Sequence, residues 1–501
     1  MSKAKFLIIF LLFWNITYSQ SIDDSFSQTK MQKDLKIFKD IRIKTNSGLY
    51  KYRTKSEIDS IYNWAEKEIS KSSTYRDFYN IICTLTDYEG SLHNDTELSK
   101  NNLKILKTEL SGYFPFPLKK IDNKWIINFE NNAIPLGSEI ISINNEKIEN
   151  VEKNLFKYYT TDGYNTTGKN IGLSTHFSKF YRLNYGLKNN FIVEYKLPFS
   201  NQILKNTIES IGYADYYKNF RNRFSKPYDQ VYYANLKENE KYSFKIIDAS
   251  TAILTIHTFS MGDEKSEEHK IYNEFLNNTF TEIKNKNITN LILDVRNNGG
   301  GTDPNDILTY SYLTSRNFQE NKQAWISFKK IPLLKYYNLN APKFIRPLFV
   351  GKYNKELQAI FPENRNDAFY ENEKSNDHKI WTPNSNAFQG KIYLLISPAV
   401  ASAGSLFASM VAGNSNCIVI GEESMGGYYG HNGHTPFEYK LPYSKIITSF
   451  SIVNLEQDVP KKDKQKYGRG ILPDYQISQT LDDFLNQRDT QLNFTIDLIK
   501  K

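Results

Sequence analysis

Cysteine is nearly missing from this chain of 501 residues, which holds only Cys83 and Cys417. Each lies among apolar neighbours, in Ile81-Ile82-Cys83 and Cys417-Ile418-Val419-Ile420, the setting of a buried free thiol. Two such residues supply neither a zinc cluster nor a disulfide framework, and neither has the context of a nucleophile. Their separation in sequence leaves open whether they pair. Long apolar runs are missing beyond the first residues, so no later segment reaches membrane-spanning length. A dominant charge is missing too. The formal net charge is +9, from 64 Lys and Arg against 55 Asp and Glu, and the basic residues are scattered. The densest short run, Lys461-Lys462-Asp463-Lys464-Gln465-Lys466, reads as a solvated loop. No sustained basic face with interleaved aromatics exists, which excludes a nucleic-acid partner. No internal repeat is present, which excludes a solenoid.

What is present is ordinary globular material with an aromatic surplus. Hydrophobic residues make up 40%, charged residues 24% and aromatics 14%, ample for large cores and too apolar for disorder. The length suggests about three domains. At the start, Lys3 and Lys5 precede the apolar run Phe6 to Trp14, and Thr17-Tyr18-Ser19-Gln20 follows. This pattern predicts a signal peptide over 1–20. No cysteine follows it, so no lipoprotein anchor and no stable membrane insertion are expected. The mature protein is placed in the periplasm or outside the cell.

Residues 21–112 read as helical. Lys30 to Ile43 and Lys55 to Ile69 carry apolar residues at three- and four-residue spacing. Ser73-Thr74 followed by Asp77 marks another helix start. Residues 113–205 change to short alternating strands, among them Lys124 to Phe129, Gly137 to Ile148 and Phe191 to Tyr195. Residues 206–240 read as a polar connector. Over 241–485, strands and helices alternate, interrupted by a polar and aromatic insertion at 316–388. A terminal helix is expected over 486–501. The fold class is multidomain, α/β together with α+β.

Two segments carry chemistry. Leu291 to Val295 is a buried strand that runs through Arg296-Asn297-Asn298 into Gly299-Gly300-Gly301. Glycines there permit unusual backbone angles and close approach to a ligand. The Lys-Ser/Thr of a nucleotide-binding loop does not follow, which argues against a phosphate cradle. Asp294 and Arg296 read as residues that hold the loop. The second segment, Ser397-Pro398-Ala399-Val400-Ala401-Ser402-Ala403-Gly404-Ser405, follows a buried strand and opens an apolar helix. Small neighbours let a substrate carbonyl reach Ser402. The free N–H groups and partial positive charge of a helix start favour an alkoxide and an oxyanion.

With Gly421-Glu422-Glu423-Ser424-Met425-Gly426-Gly427 and Gly468-Arg469-Gly470-Ile471-Leu472-Pro473-Asp474, these segments resemble, in order and spacing, the C-terminal processing peptidase and tricorn-core serine peptidases, also called tail-specific proteases. The strand region resembles a PDZ domain. The resemblance implies a ClpP/crotonase-like peptidase core at 241–485, a PDZ-like domain at 113–205 and a helical N-terminal domain. It implies an endopeptidase that acts on peptide or protein substrates without a cofactor, through a Ser402 nucleophile and an acyl-enzyme. Ala403 and Gly300 would supply the oxyanion hole, with Gly299, Gly301 and His431 possible cleft residues.

The processing branch uses a lysine base, and this chain has Gly427 where that lysine would fall. The tricorn-like branch uses a histidine, and His93 in Gly90-Ser91-Leu92-His93-Asn94-Asp95 fits it; a neutral imidazole suits the task. Glu456, with Asp458 beside it, is the candidate to orient that histidine, and Asp474 reads as a loop-fixing residue. His431 and His434 are rivals for the base; as a metal pair they lack a third ligand nearby in sequence. His257 reads as structural, and His176, His269 and His378 have no marked context. Ser405 stands where the family often has glutamate. That departure and the missing lysine motivate an alternative, a non-catalytic peptide- or lipid-binding protein on the same fold.

Overall fold

The computed structural model describes residues 21–227, 233, 235–339 and 346–501; the expected signal peptide lies outside the described residues. The chain is a mixed α/β molecule with several sheets. Three helices, Gln28–Thr45, Lys55–Ile69 and Tyr75–Tyr88, come first. Each starts at a hydroxyl cap: Ser27 accepts from the Lys30 N–H, and Thr54 and Thr74 form capping boxes with Glu57 and Asp77. An antiparallel sheet follows in the order Leu118–Ile121, Lys124–Ile127, Glu139–Ile143, Asn190–Lys196 and Ile203–Glu209.

Two expectations need correction here. The region 113–205 is not strands alone, because Lys169–Tyr185 is a helix. Its apolar residues, among them Ile171, Leu173, Phe177, Phe180, Tyr181 and Leu183, are buried on several sides, and a non-helical residue at His176 breaks the run, so no single stripe marks it. The expected connector at 206–240 holds the end of the strand Ile203–Glu209 and the helix Tyr213–Arg221. Alternating polar residues on that edge strand concealed it.

The second half is built on a sheet ordered Tyr475–Gln476, Cys417–Gly421, Lys391–Ile396, Asn290–Asp294, Thr251–Ile256 and Tyr242–Ile246, parallel except for the last strand. Both faces are covered, as parallel sheets require. Leu291 and Leu293 pack into one core with Phe280, Phe407 and Met410, whereas Ile292 faces the terminal helix Thr490–Ile499 through Leu492, Phe494 and Ile496.

The insertion adds a four-stranded antiparallel sheet, Glu363–Arg365, Ala368–Tyr370, Asn321–Ile326 and Asn454–Gln457. Its Ala324, Ile326, Leu357 and Phe361 join the core of the N-terminal helices. A fourth, three-stranded sheet crosses between the halves: Asp95–Glu97 pairs antiparallel with Ile447–Ser451, which also pairs with Pro436–Lys440. None of the described helices is long and apolar enough to cross a membrane.

Candidate active site

Ligands of open α/β sheets bind beyond the carboxyl ends of the strands. Here two neighbouring parallel strands, Asn290–Asp294 and Lys391–Ile396, deliver the glycine loop and Ser402 to the same place. Ser402 precedes the helix Ala403–Gly413 with φ 51 and ψ −137. A residue with a Cβ pays about 1–3 kcal/mol for such a backbone. The surroundings that hold it are specific. The Ala401 N–H donates to the Asn298 carbonyl at 3.3 Å, and Met425 and Gly426 N–H groups donate to the Val400 carbonyl at 3.0 and 3.2 Å. Ser405 Oγ donates to the Ser402 carbonyl at 2.8 Å. A Cβ at Gly426 would lie 2.0 Å from that Oγ, so this serine lies in tight contact with the glycine.

The glycine loop approaches equally closely. Gly300 has φ 107, and a Cβ there would lie 2.7 Å from Ser402 Cβ. Its N–H, however, donates to Asn298 Oδ1 at 2.9 Å. The expectation that Gly300 supplies the oxyanion donor is therefore corrected: Asn298 already takes that hydrogen, and Gly300 serves as a close-contact residue. Gly299 lines the cavity beside Ser402. Gly301 instead packs against Phe259. Ala403, at the first helical position, has a backbone N–H with no partner among the described residues. Arg296 anchors the loop as expected, donating to Asp294 at 2.7 Å and to Asp489 at 2.7 Å.

Ser402 opens into a cavity of about 680 Å³ whose wall includes Leu92, His93, Asp95, Tyr159, His176 and Lys179. The expected base thus lines the same cavity as the serine. The loop that carries it is tied down on both sides. Asp162 accepts from the Leu92 N–H at 3.0 Å with one oxygen and from the Gly427 N–H at 2.9 Å with the other. Thr160 Oγ1 donates to the Asn94 carbonyl at 2.6 Å, and Asn94 Nδ2 donates to Glu89 at 2.7 Å. Burial pushes the Asp162 and Glu89 carboxyls up to about 7.

Burial also pushes the His93 imidazole down to about 4, so the ring is neutral at pH 7. The His431 ring lies 5.0 Å away, centroid to centroid. It too is buried and its pKa well below the ordinary value, first from desolvation and then from His93 and Lys51. Among the described residues His93 Nε2 and both His431 nitrogens have no close hydrogen-bond partner, although the His431 ring also faces the Ser402 backbone. A Cβ at Gly433 would come within 2.8 Å of His93 Nε2 and 2.2 Å of His431 Nδ1. Among the described residues no hydrogen bond joins Ser402 Oγ to either ring.

The structure does not bring Glu456 to His93. Its carboxylate accepts from Lys322 Nζ at 3.0 Å and Gln323 Nε2 at 2.9 Å across the insertion sheet. The strand pairing with Asn321–Ile326 directs it there. Asp458 pairs with Arg316 at 3.0 Å, and Asp474 accepts from the Val419 N–H at 3.0 Å, a loop-fixing role. Of the other histidines, His176 bonds Tyr217 Oη and His269 bonds Asn305, both at 2.8 Å. His257 stacks near Tyr233. His434 does not join His431 at a site; it meets Asp377 at 3.8 Å. Sequence reasoning missed Asp162 and Lys51. Lys51 is half-buried, donates to the Leu455 carbonyl, and has a pKa lowered to about 8 by desolvation. Neither residue stands in a motif, and only the fold gives them a role.

Residues 250–477 match the family model for peptidase family S41. No curated protein matches the chain in sequence. The solved structure of mature CPAF complexed with lactacystin is 12% identical, with 95% of this chain and 98% of that chain covered at a TM-score of 0.58. That of mature CPAF alone is 12% identical, covering 91% and 94% at 0.57. The photosystem II D1 C-terminal processing protease is 11% identical, covering 90% and 94% at 0.37.

Proposed function

We propose that the chain, a serine-type peptidase whose residues 250–477 match peptidase family S41, uses Ser402 as its nucleophile and His93 as its general base and is an exported endopeptidase. The observation that carries the reading is the placement of Ser402. Its hydroxyl stands at a helix tip on a strained backbone, against the glycine loop, in a cavity that His93 also lines. His93 removes the hydroxyl proton as Ser402 Oγ bonds to the peptide carbonyl carbon. The oxyanion rests on the Ala403 N–H and on the Gly299 N–H, which replaces Gly300 in that role. The C–N bond then breaks, the imidazolium gives its proton to the leaving amine, and water hydrolyses the acyl-enzyme by the reverse exchange.

Among the described residues no carboxylate forms a hydrogen bond or ion pair with the His93 ring. Its position comes instead from the loop ties through Asp162, Thr160 and Asn94 and from the packing of Gly433 and His431. The PDZ-like sheet at 118–209 suits an extended substrate chain added at one of its edges. Export rests on the pattern of residues 1–20.

A fluorophosphonate probe and peptide hydrolysis test this together. Wild type is expected to label at Ser402 and Ser402→Ala to be inert, with an unchanged melting temperature. His93→Ala is expected to lose about 10²–10⁴-fold in kcat, the range for a general base. Turnover by Ser402→Ala, or failure of wild type to label, would return the protein to the non-catalytic binding alternative. If His431→Ala is dead and His93→Ala active, the base is His431.

A further inference from the structure

Immediately beyond the active-site glycines, the chain brings together three carboxylates that the peptidase reading does not use. Asp303 and Asp306 follow Gly301 within five residues, and Glu320 comes from the start of the insertion. One oxygen from each of the three lies within 4.8 Å of the others. Asp303 is exposed at the mouth, while Asp306 and Glu320 are fully buried, at 0% and 2% exposure. Among the described residues both Asp306 oxygens and one Glu320 oxygen have no hydrogen-bond partner. Among the described residues none of the three forms an ion pair. The neighbouring carboxylates are different: Glu371 faces His378 at 3.4 Å and Asp377 faces His434 at 3.8 Å. The two imidazoles pair with these carboxylates, and among the described residues no Lys, Arg or His nitrogen lies within 4.0 Å of a triad oxygen.

Buried charges are paired or hold a metal. The spacing suits the second case. An ion with oxygen ligands at about 2.4 Å separates opposite ligands by about 4.8 Å. Both ligand-bearing segments are held in place before any ion arrives. Asn305 Nδ2 donates to the Phe259, Gly262 and Thr302 carbonyls at 3.1, 2.9 and 2.6 Å. Glu320 and Asn321 N–H groups donate to the Asp377 carbonyl at 3.1 and 2.9 Å. Asn321 Oδ1, a further buried oxygen without a partner among the described residues, stands at the next residue. An all-oxygen set with three carboxylates selects a hard cation over zinc, which prefers nitrogen and sulfur. Magnesium keeps most of its water and demands a strict octahedron.

We infer that Asp303, Asp306 and Glu320 form a calcium site that clasps the segment after the active-site glycines to the start of the insertion. The bound ion offsets the repulsion among three carboxylates and fixes residues 299–306 relative to residue 320. It takes no part in proton transfer, and the inference stands whether or not Ser402 is the nucleophile.

The test uses the full chain carrying Ser402→Ala, so that self-cleavage cannot intervene. After chelator treatment, terbium luminescence and thermal unfolding are followed as calcium is added to millimolar concentration. Calcium is expected to displace terbium and to raise the melting temperature by about 2–4 °C. In Asp306→Asn and Glu320→Gln that response is expected to disappear. Their calcium-free melting temperature should match or exceed that of the parent, since one repelling charge is gone. The inference is overturned if the parent shows no calcium response, if the response survives both substitutions, or if zinc binds and calcium does not. A calcium-free melting temperature lowered in both variants would mean that the carboxyls act as hydrogen-bonding core groups, which also overturns it.

Discussion

At the scale of single residues, the candidate site depends on groups whose ordinary chemistry is altered by burial. His93 is the clearest. Its ring loses hydration without gaining a carboxylate partner, so desolvation alone holds it at about 4. A general base must be neutral to act, and the free enzyme therefore keeps its base form well into the acid range. The expected outcome is that kcat/KM loses activity on the acid side through an apparent pKa near 4, and not near the ~6.5 of a free imidazole. A pH–rate profile of kcat/KM for a small peptide substrate measures this; a limb near the ordinary value would show that His93 is hydrated in the working enzyme. Ser402 was legible from its small neighbours and its position after a buried strand. Its left-handed backbone and the capture of the Gly300 N–H by Asn298 were not, because both follow from how two loops meet.

Between elements, what matters is how a loop from the first hundred residues is joined to the peptidase sheet. The ladder between Asp95–Glu97 and Ile447–Ser451 begins two residues after His93. Asp162 completes the junction by bridging the Leu92 and Gly427 N–H groups. Each such hydrogen bond is worth about 0.5–1.5 kcal/mol, and Asn retains only one acceptor oxygen. Asp162→Asn is therefore expected to lower kcat/KM by about two- to tenfold, with the global fold intact. Kinetics read beside circular dichroism check it, and wild-type kcat/KM in the variant would deny the bridge a positioning role. Helix positions at Lys55–Ile69 and after Thr74 were readable from spacing and caps. The helix Lys169–Tyr185 was not, since a helix buried on several sides carries no polar stripe.

At the scale of the whole molecule, distant ends of the chain brace the same loop. Asp489, which caps the terminal helix, holds Arg296, and that helix covers the second face of the parallel sheet over Ile292, Tyr393, Leu395 and Ile420. Removing residues 489–501 uncovers that face and frees the arginine beside the glycine loop. Such a truncation is expected to lower the melting temperature by several degrees, since burying each large apolar side chain contributes about 1.5–3 kcal/mol. Activity should fall with it, as measured by calorimetry and peptide hydrolysis on one preparation. A truncated protein with wild-type melting temperature and turnover would show that the helix is dispensable.

The order of motifs, the buried strands, the helix caps and the serine at a helix start were determined by the sequence alone, because each depends on residues close together in the chain. Tertiary structure alone decided which imidazoles share the cavity with Ser402, which backbone N–H stays free, where Glu456 ends up, and that Asp303, Asp306 and Glu320 meet. Those outcomes depend on strand pairing and on packing between segments tens to hundreds of residues apart, which no local pattern records.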